Sequence, residues 1–274
     1  NGMPVKASSL SVGLASTPSS ATVVKKQAMV PALGVSFQAG AQSDVLVTAV
    51  KVTGQSKFDA GSFTAANLRT TLSSCALYDD ATILSDMLTP DTSGVMNFTN
   101  LNWRLARGLN KTIVVKCTTG SVLGGTSSDT FSLGLKNADA DVTAQDGDSN
   151  TVTASVSTAL DVNADSSTPS VAMIVRAQGT VSVVSDSMQQ STILVPSAGA
   201  WYPVAQFSAS AQFEDMRIER MLVTSTGDAS SIAQIAIAKD GTALAQATLS
   251  GSTFASQDVD LSQNPIIVPQ DRSV

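Results

Sequence analysis

The sequence contains no histidine, and this absence excludes several kinds of functional site at once. Histidine is the usual proton acceptor at neutral pH and a frequent metal ligand, so histidine-based triads and histidine-ligated metals are excluded. No carboxylate or lysine motif takes its place, and the serines are too numerous for any one of them to stand out. We therefore expect no enzymatic activity in these 274 residues.

Charge is also scarce, since only 14% of the residues are charged and the net charge is −6. Nucleic acid is excluded as a partner, because phosphate binding needs clustered lysine and arginine. No apolar run approaches the ~18 residues of a membrane-spanning helix. The chain begins at Asn1 without a signal peptide. We expect a mature or excised segment of an extracellular, cell-surface protein.

Aromatic residues make up only 4% of the chain, whereas hydrophobic residues reach 43%. A core of valine, leucine, isoleucine and alanine is therefore expected. Short β-branched runs such as 112–117 alternate with turn residues, and 45–52 alternates apolar and polar side chains. This pattern predicts an all-β fold of tandem immunoglobulin-like antiparallel β-sandwiches. Only 64–73 is compatible with a helix, and a single turn is expected there.

An internal repeat divides the chain into two copies. The matching segments are 10–12 with 181–183, 35–39 with 205–209 (which matches Phe37 to Phe207), 44–53 with 215–224, and 76–80 with 236–240. The segment between the copies is polar, small and proline-containing, as linkers are. The predicted organisation is one sandwich domain at 1–160, a linker at 161–170, and a second domain at 171–274.

The second copy is incomplete, because it has no counterparts of residues 112–157. Val274 falls just before the counterpart of the 113–117 strand. Two explanations remain open: either the chain is a piece of a longer repeat array, or another subunit completes the second domain by adding a strand. The run 171–175 is a candidate donor, although it equally fits pairing within its own chain.

Several short landmarks carry a resemblance to a known class. They are 10–12 followed by Ser16-Thr17-Pro18, the strand 44–54, Leu77-Tyr78-Asp79-Asp80, and 98–102 running into Gly108. Together they resemble the immunoglobulin-like repeats of large, low-charge bacterial cell-surface proteins of the surface-layer, filament or adhesin type. The resemblance implies a non-catalytic subunit of a surface lattice, fibre or stalk that forms a homo-polymer. The alternative is an adhesin or carbohydrate-binding module of a larger surface protein, and a third hypothesis is an accessory region of a hydrolase.

The two cysteines, Cys75 and Cys117, each lie in a strand-like run. A disulfide between them would contribute about 3–4 kcal/mol by closing the intervening loop. The alternative is two unpaired, buried cysteines that act as small hydrophobic residues.

The most polar cluster is a candidate calcium site. It consists of Asp139, Asp141, Asp146, Asp148 and Asn150. Alternating side-chain oxygens are typical of calcium loops, although the glycine and terminal glutamate of an EF-hand are missing. The alternative is a solvated turn, because aspartate, glycine and asparagine favour turns.

Two further features concern sugars. Asn97 and Asn110 each begin an Asn-x-Thr sequon, which makes them glycosylation candidates, although such sequons are common by chance in threonine-rich chains. Trp103 and the pair Trp201-Tyr202 are candidates for stacking against a glycan. The alternative is that these aromatic side chains pack in a core.

Overall fold

The structure is a computed structural model of the chain. It describes residues 7–136, 138–162, 171–186, 201–224, 232–249 and 256–274. The chain divides into two compact units, Asn1–Gln178 and Gly179–Val274, which are called unit 1 and unit 2 below.

Unit 1 is built almost entirely of strands, with one short helical turn at 68–71 inside the predicted 64–73 segment. Its elements are β1 (Leu10–Leu14), β2 (Ala21–Val24), β3 (Val30–Ala39), β4 (Val45–Phe58), α1 (Leu68–Thr71), β5 (Leu72–Asp79), β6 (Thr82–Ile83), β7 (Val95–Phe98), β8 (Trp103–Leu105), β9 (Asn110–Thr119), β10 (Ser128–Gly134), β11 (Val142–Asp146), β12 (Thr151–Val152), β13 (Ala154–Val156) and β14 (Met173–Arg176), with 3₁₀ turns at Ala138–Asp141 and Thr158–Leu160.

These strands form two sheets. The first has the order β13-β1-β3-β9-β5-β6; the second has the order β12-β11-β4-β10-β14-β2, with β7 and β8 also paired to β4. Most pairs are antiparallel, as predicted, but β1 pairs with β13 and β14 pairs with β2 in parallel. Each sheet is therefore mixed, since it contains one parallel pair beside its antiparallel pairs. Both parallel pairs join strands that are far apart in the chain, as a parallel connection requires.

The core of unit 1 lies between the two sheets. Phe37 of β3 meets Trp103 of β8 edge to face, with ring centroids 5.3 Å apart. Phe37, Phe98 and Phe131 are all buried. The rest of the core is aliphatic, which agrees with the low aromatic content, and the predicted β-sandwich is confirmed.

In β4, the buried positions do not follow a strict alternation along the strand. Val45 and Val47 are buried on one face, but the buried positions then shift to Val50 and Val52. The register between β4 and β11 shifts at Thr48. Thr143 lies opposite Ala49, but the next residue, Ala144, lies opposite Val47, so Thr48 has no residue opposite it. Such a β-bulge turns the following side chains to the other face of the strand.

The boundary between the units differs from the predicted linker at 161–170. β14 lies in the second sheet of unit 1, antiparallel to β10 and parallel to β2. Its Met173 and Val175 are 2% and 1% exposed. Residues 171–176, predicted to open the second domain, thus belong to the first. Most of the predicted linker, 163–170, lies outside the described residues.

The described residues of unit 2 form four two-stranded sheets. Its strands are β15 (Thr180–Ser185), β16 (Phe207–Gln212), β17 (Met216–Ile218), β18 (Arg220–Thr224), β19 (Gln234–Lys239), β20 (Thr242–Thr248), β21 (Ser256–Asp260) and β22 (Ile266–Val268). The pairs are β15 with β16, β17 with β22, β18 with β21, and β19 with β20.

The pairings of unit 2 reproduce those of unit 1. β17 pairs with β22 as β4 pairs with β8, so that Met216 faces Val268 as Val45 faces Leu105. The amide of Gln270 donates to Asp215 Oδ1 at 2.7 Å, as the amide of Arg107 donates to Asp44 Oδ1 at 3.1 Å. Tandem immunoglobulin-like sandwiches, the second lacking its C-terminal strands among the residues described, are therefore confirmed as the fold class.

One detail of the predicted repeat is wrong. β1 pairs Leu10 with Ala39, and β15 pairs Val181 with Ala211, so Ala209 and not Phe207 occupies the position of Phe37. Pro203 then matches Pro31. The error is a shift of two residues. Side chains two positions apart in a strand point to the same face, so the sequence pattern does not distinguish the two alignments.

Candidate functional site: the open strand edge of unit 2

β9 is the strand that holds the first sheet of unit 1 together. It lies between β3 and β5, pairing Val35 with Ile113 on one side and Leu77 with Val115 on the other. Its residues alternate in burial, and Ile113, Val115 and Cys117 are buried. The N-terminal half of β3, residues 30–34, has β9 as its strand partner, because β1 pairs only with 35–39.

Unit 2 contains only the beginning of this strand. Ser210 bridges Ser273, and Ala209 and Val274 exchange two backbone hydrogen bonds of 2.8 and 2.9 Å. In unit 1 the same positions are Gln38 opposite Asn110 and Phe37 opposite Lys111. Val274 therefore occupies the position of Lys111, and no further residue of a β9 counterpart occurs in the described part of unit 2.

β16 is also shorter than β3, with six residues against ten. Residues 202–206, the counterparts of 30–34, are not in a strand. Ala205 is exposed, whereas Leu33 at the equivalent position is 1% exposed; Val204 is 68% exposed, against 1% for Ala32. A segment whose ladder partner is absent leaves its amides and carbonyls to solvent. Residues 202–212 together with β19 are called the open edge below.

β15 shows the same loss of cover. Val181 and Val183 are 42% and 51% exposed, whereas Leu10 and Val12 at the equivalent positions are 1% and 2% exposed. The small core of unit 2 is made of Ala209, Ala211, Ile237, Val259, Leu261, Ile266 and Val268. Unpaired edges and exposed apolar strands favour the addition of another strand.

The two cysteines lie directly opposite each other on β5 and β9. They form a disulfide in the structure, with an S–S distance of 2.06 Å and a Cα–Cα distance of 4.0 Å. The bond fixes β9 to its neighbour in unit 1. In unit 2 the position of Cys75 is taken by Ile235, since β19 and β20 repeat the β5–β6 hairpin with Asp240 at the position of Asp80.

The five calcium candidates do not form one group, because Asp139 and Asp141 lie in the 3₁₀ turn at Ala138–Asp141, whereas Asp146, Asp148 and Asn150 lie at the turn between β11 and β12. Asp141, whose side chain is fully buried, forms an ion pair of 2.6 Å with Lys51. Asp146 accepts hydrogen bonds from the backbone of Asp148 and Asn150, so it closes the turn between β11 and β12. The Asn150 amide, above all, lowers the pKa of Asp146. No group of three acidic or thiol side chains able to hold a metal occurs among the residues described.

The two sequon asparagines are exposed, and both lie in strands. Asn97 is on β7 opposite Lys51, and Asn110 opens β9 opposite Gln38. The exposed side chains leave both amides reachable, and their glycosylation remains a prediction.

The aromatic candidates have different surroundings. Trp103 is 5% exposed, and its Nε1 donates to Asp79 Oδ2 at 2.9 Å. Burial raises the pKa of Asp79, but the hydrogen bonds from Trp103 and Lys111 outweigh it and lower the pKa overall. Trp103 thus packs in the core, which leaves no open ring face for a sugar. Trp201 is 54% exposed and Tyr202 is half-buried, so this pair remains a candidate.

Sequence analysis missed two aspartates that shape the loop before β10. Asp59 accepts hydrogen bonds from the amides of Thr126, Ser127 and Ser128. Asp129 is fully buried and accepts from the amides of Gly124 and Gly125, each at 2.9 Å. The Gly-Gly-Thr-Ser-Ser run could have indicated a turn, but nothing in the sequence pairs it with Asp59, which is far away in the chain.

No family model and no curated protein matches the chain. Solved structures that are similar to it include a CaDoc0917–CaCohA2 complex, with 8% identity over 62% of this chain and 100% of the other, and a TM-score of 0.29. Two are from Acetivibrio cellulolyticus. The sixth cohesin of scaffoldin B, solved with a Cel5 dockerin, has 12% identity over 63% and 100% of the chains and a TM-score of 0.23. The type II cohesin dyad of the adaptor ScaA has 9% identity over 97% and 89% and a TM-score of 0.26. These TM-scores are too low to say anything about this chain.

Among the residues that the structure describes, no helix is long and apolar enough to cross a lipid bilayer.

Proposed function

We propose that this chain is a non-catalytic structural module of an extracellular assembly, a surface lattice, fibre or stalk, whose subunits join by strand complementation. The observation that carries the proposal is the pair of units with matching strand registers, of which the second exposes apolar residues of β15 and of the segment before β16. An open sheet edge binds an extended segment through main-chain hydrogen bonds.

The connection between the units supports a structural role. β14 is held on both sides in the second sheet of unit 1, and only residues 177–179 separate it from β15 of unit 2. A pull on unit 2 would therefore act directly on a strand inside unit 1. The disulfide between β5 and β9 gives unit 1 a covalent link across its other sheet.

Electron cryomicroscopy of the native material tests this function, together with light scattering of the recombinant 274-residue chain after size exclusion. We expect ordered fibres or sheets in which a strand of one subunit adds to unit 2 of another. A native particle that is a monomer with two intact sandwiches would contradict assembly.

A second candidate function is an adhesin or carbohydrate-binding module, and the exposed Trp201 favours it. Tryptophan offers an apolar ring face together with a polar edge, which suits contact with sugars. A glycan array separates the two functions. If the chain is a lectin, Trp201→Ala abolishes binding, while Ile267→Ala, at another exposed apolar position of unit 2, leaves it unchanged.

A further inference from the structure

We propose that unit 1 is a load-bearing module, in which tension along the chain is resisted by shear between the parallel strands β2 and β14. This role goes beyond the proposed function, because it concerns how unit 1 carries force and not what unit 2 binds. Unit 1 has two parallel strand pairs, β1 with β13 and β2 with β14, and they include the first and the last strand of the unit.

The first and last strands of unit 1 run in the same direction. β1 is antiparallel to β3. The connection from β3 to β4 of the other sheet, residues 40–44, reaches at most about 20 Å, which is too short to return along the roughly 33 Å of β3, so β4 runs opposite to β3. β4 is antiparallel to β10, and β10 is antiparallel to β14. The chain therefore enters unit 1 at one end of the sandwich and leaves it at the other.

Tension between these two ends acts along the strands. It pulls β1 and β14 along their own axes in opposite directions, and once β1 has given way the load passes to β2, the next strand of the chain. Because β2 lies parallel to β14, this load slides the two strands past each other. Sliding strains all the hydrogen bonds of a ladder together, whereas lifting a strand from one end breaks them one after another. Tension along the chain thus meets the β2–β14 pair in its most resistant direction.

The backbones of β2 and β14 are joined along the whole pair. Four residue pairs form its register. Just before the first of them, the Ala172 amide donates to Ser20 Oγ at 3.0 Å. Just after the last, the Lys25 amide donates to the Arg176 carbonyl at 2.9 Å. The ladder is therefore closed at both ends, and neither end offers a loose residue from which separation could start.

The side chains of the pair hold it in the core as well. Met173 and Val175 of β14 are 2% and 1% exposed, and Val23 of β2 is 5% exposed. All three belong to the core between the two sheets. On its other side, β14 has four further residue pairs with β10. Sliding β14 out of the sheet therefore exposes apolar side chains to water in addition to breaking two ladders.

Single-molecule force spectroscopy of the full chain tests the proposal, because the direction of the force can be changed without changing the fold. Handles are attached through cysteines introduced at exposed positions, Gln178→Cys together with either Ser19→Cys or Lys26→Cys. Ser19 and Gln178 lie at opposite ends of the β2–β14 pair, so force between them shears it. Lys26 and Gln178 lie at the same end, so force between them peels the strands apart.

The two chains are closely matched. Both handles lie in unit 1, so unit 2 stays outside the path of the force. The native cysteines are fully buried and joined in a disulfide, so they do not take up handles. At the same force, we expect the folded state to last about a hundredfold longer in shear than in peeling, because about three further hydrogen bonds must break together and each slows rupture about fivefold.

A third chain applies the force as the protein itself would receive it. With handles at Ala7→Cys and Gln178→Cys, tension enters through β1 and leaves through β14, and the folded state should last at least as long as in the shear chain. If a cysteine shifts the denaturant midpoint, Ser16 and Ala28, which are exposed and lie beyond the same two ends of β2, replace Ser19 and Lys26.

The lifetimes decide the outcome. A long lifetime in the shear chain and in the Ala7 chain, with a short one in the peeling chain, supports the proposal. A shear chain that lasts no longer than the peeling chain overturns it, and so does an Ala7 chain that ruptures as fast as the peeling chain. Each lifetime is measured on single recombinant molecules, so these outcomes do not depend on whether native material forms fibres or sheets.

Discussion

Units 1 and 2 have the same strand pairings, but they differ in how far those pairings are completed. In unit 1, β3 is a strand of ten residues that is held on both sides, and Leu33 and Phe37 are buried. In unit 2, β16 has six residues, and the segment before it has no ladder partner. All six residues of β15 are exposed, although the matching residues of β1 include buried leucine and valine.

The difference lies in the strands that join distant parts of each sheet. In unit 1, β9 joins β3 to β5, and β10 and β11 flank β4; in the described part of unit 2, β15–β16 and β19–β20 are separate pairs. Local hairpins survive, because their partners are adjacent in the chain, whereas the packing of distant strands is lost. Burial is lost both in β15 and in the segment before β16: Val183 is 51% exposed against 2% for Val12, and Val204 is 68% exposed against 1% for Ala32.

The largest expected effect comes from breaking the covalent link that only unit 1 has. Reduction of the Cys75–Cys117 disulfide should lower the free energy of unfolding of unit 1 by about 3–4 kcal/mol, because the loop between the cysteines is no longer closed in the unfolded state. Denaturation of a Trp201→Phe chain, followed through Trp103, measures this. Cys75→Ala/Cys117→Ala should abolish the response to reductant. If hydrogen exchange in β19 changed as much as in β9, the effect would not be specific to unit 1.

An exchange of side chains between equivalent positions sharpens the comparison. Leu33→Ala should destabilise unit 1 by about 3 kcal/mol, because it leaves a cavity in a closed core. Ala205→Leu, the reverse exchange in unit 2, should alter stability by less than about 0.5 kcal/mol, because its site is exposed. Hydrogen exchange of each unit, measured in the same sample, gives both values. A large effect of Ala205→Leu would mean that the open edge is already covered.

Met173 tests where the two units divide. Met173→Ala should destabilise unit 1 by about 2 kcal/mol, because the side chain is buried against β10 and β2. Unit 2 should be unaffected. Arg176→Ala, at the exposed end of the same strand, is the matched control. If the loss of protection appeared in β15 and β16 instead, the strand would belong to the second unit, as the linker at 161–170 would require.

The sequence was sufficient for the features that local pattern determines. The strand over 45–52 and the match of 76–80 with 236–240 follow from short runs of residues that are close together in the chain. The position of β14 could not be predicted, because a buried apolar run fits any sheet that has room for it. The bulge at Thr48 and the anchoring of a loop by Asp59 depend on partners many residues away, for which no periodicity gives a signal.

The smallest expected effect concerns acid, and it again distinguishes the units. Hydrogen bonds from the backbone of Thr126, the side chain of Ser127 and further amides hold the pKa of Asp59 well below its ordinary value of 3.8. A carboxyl group with a depressed pKa in the folded state stabilises the fold above its unfolded pKa, and this contribution is lost as the pH falls through the folded value. Asp79 and Asp146 in unit 1 also have lowered pKa values. In unit 2, the Ser262 amide lowers the pKa of Asp260.

Unit 1 should therefore lose more stability than unit 2 as the pH is lowered below about 4. Denaturant midpoints measured from pH 5 to about pH 2, through Trp103 in the Trp201→Phe chain, give the slope for unit 1. Asp59→Asn should flatten this slope in part, since Asp79 and Asp146 still titrate, and Asp260→Asn should leave it unchanged. An Asp59→Asn chain with the full acid response would show that the lowered pKa of Asp59 is not the cause of the acid sensitivity of unit 1.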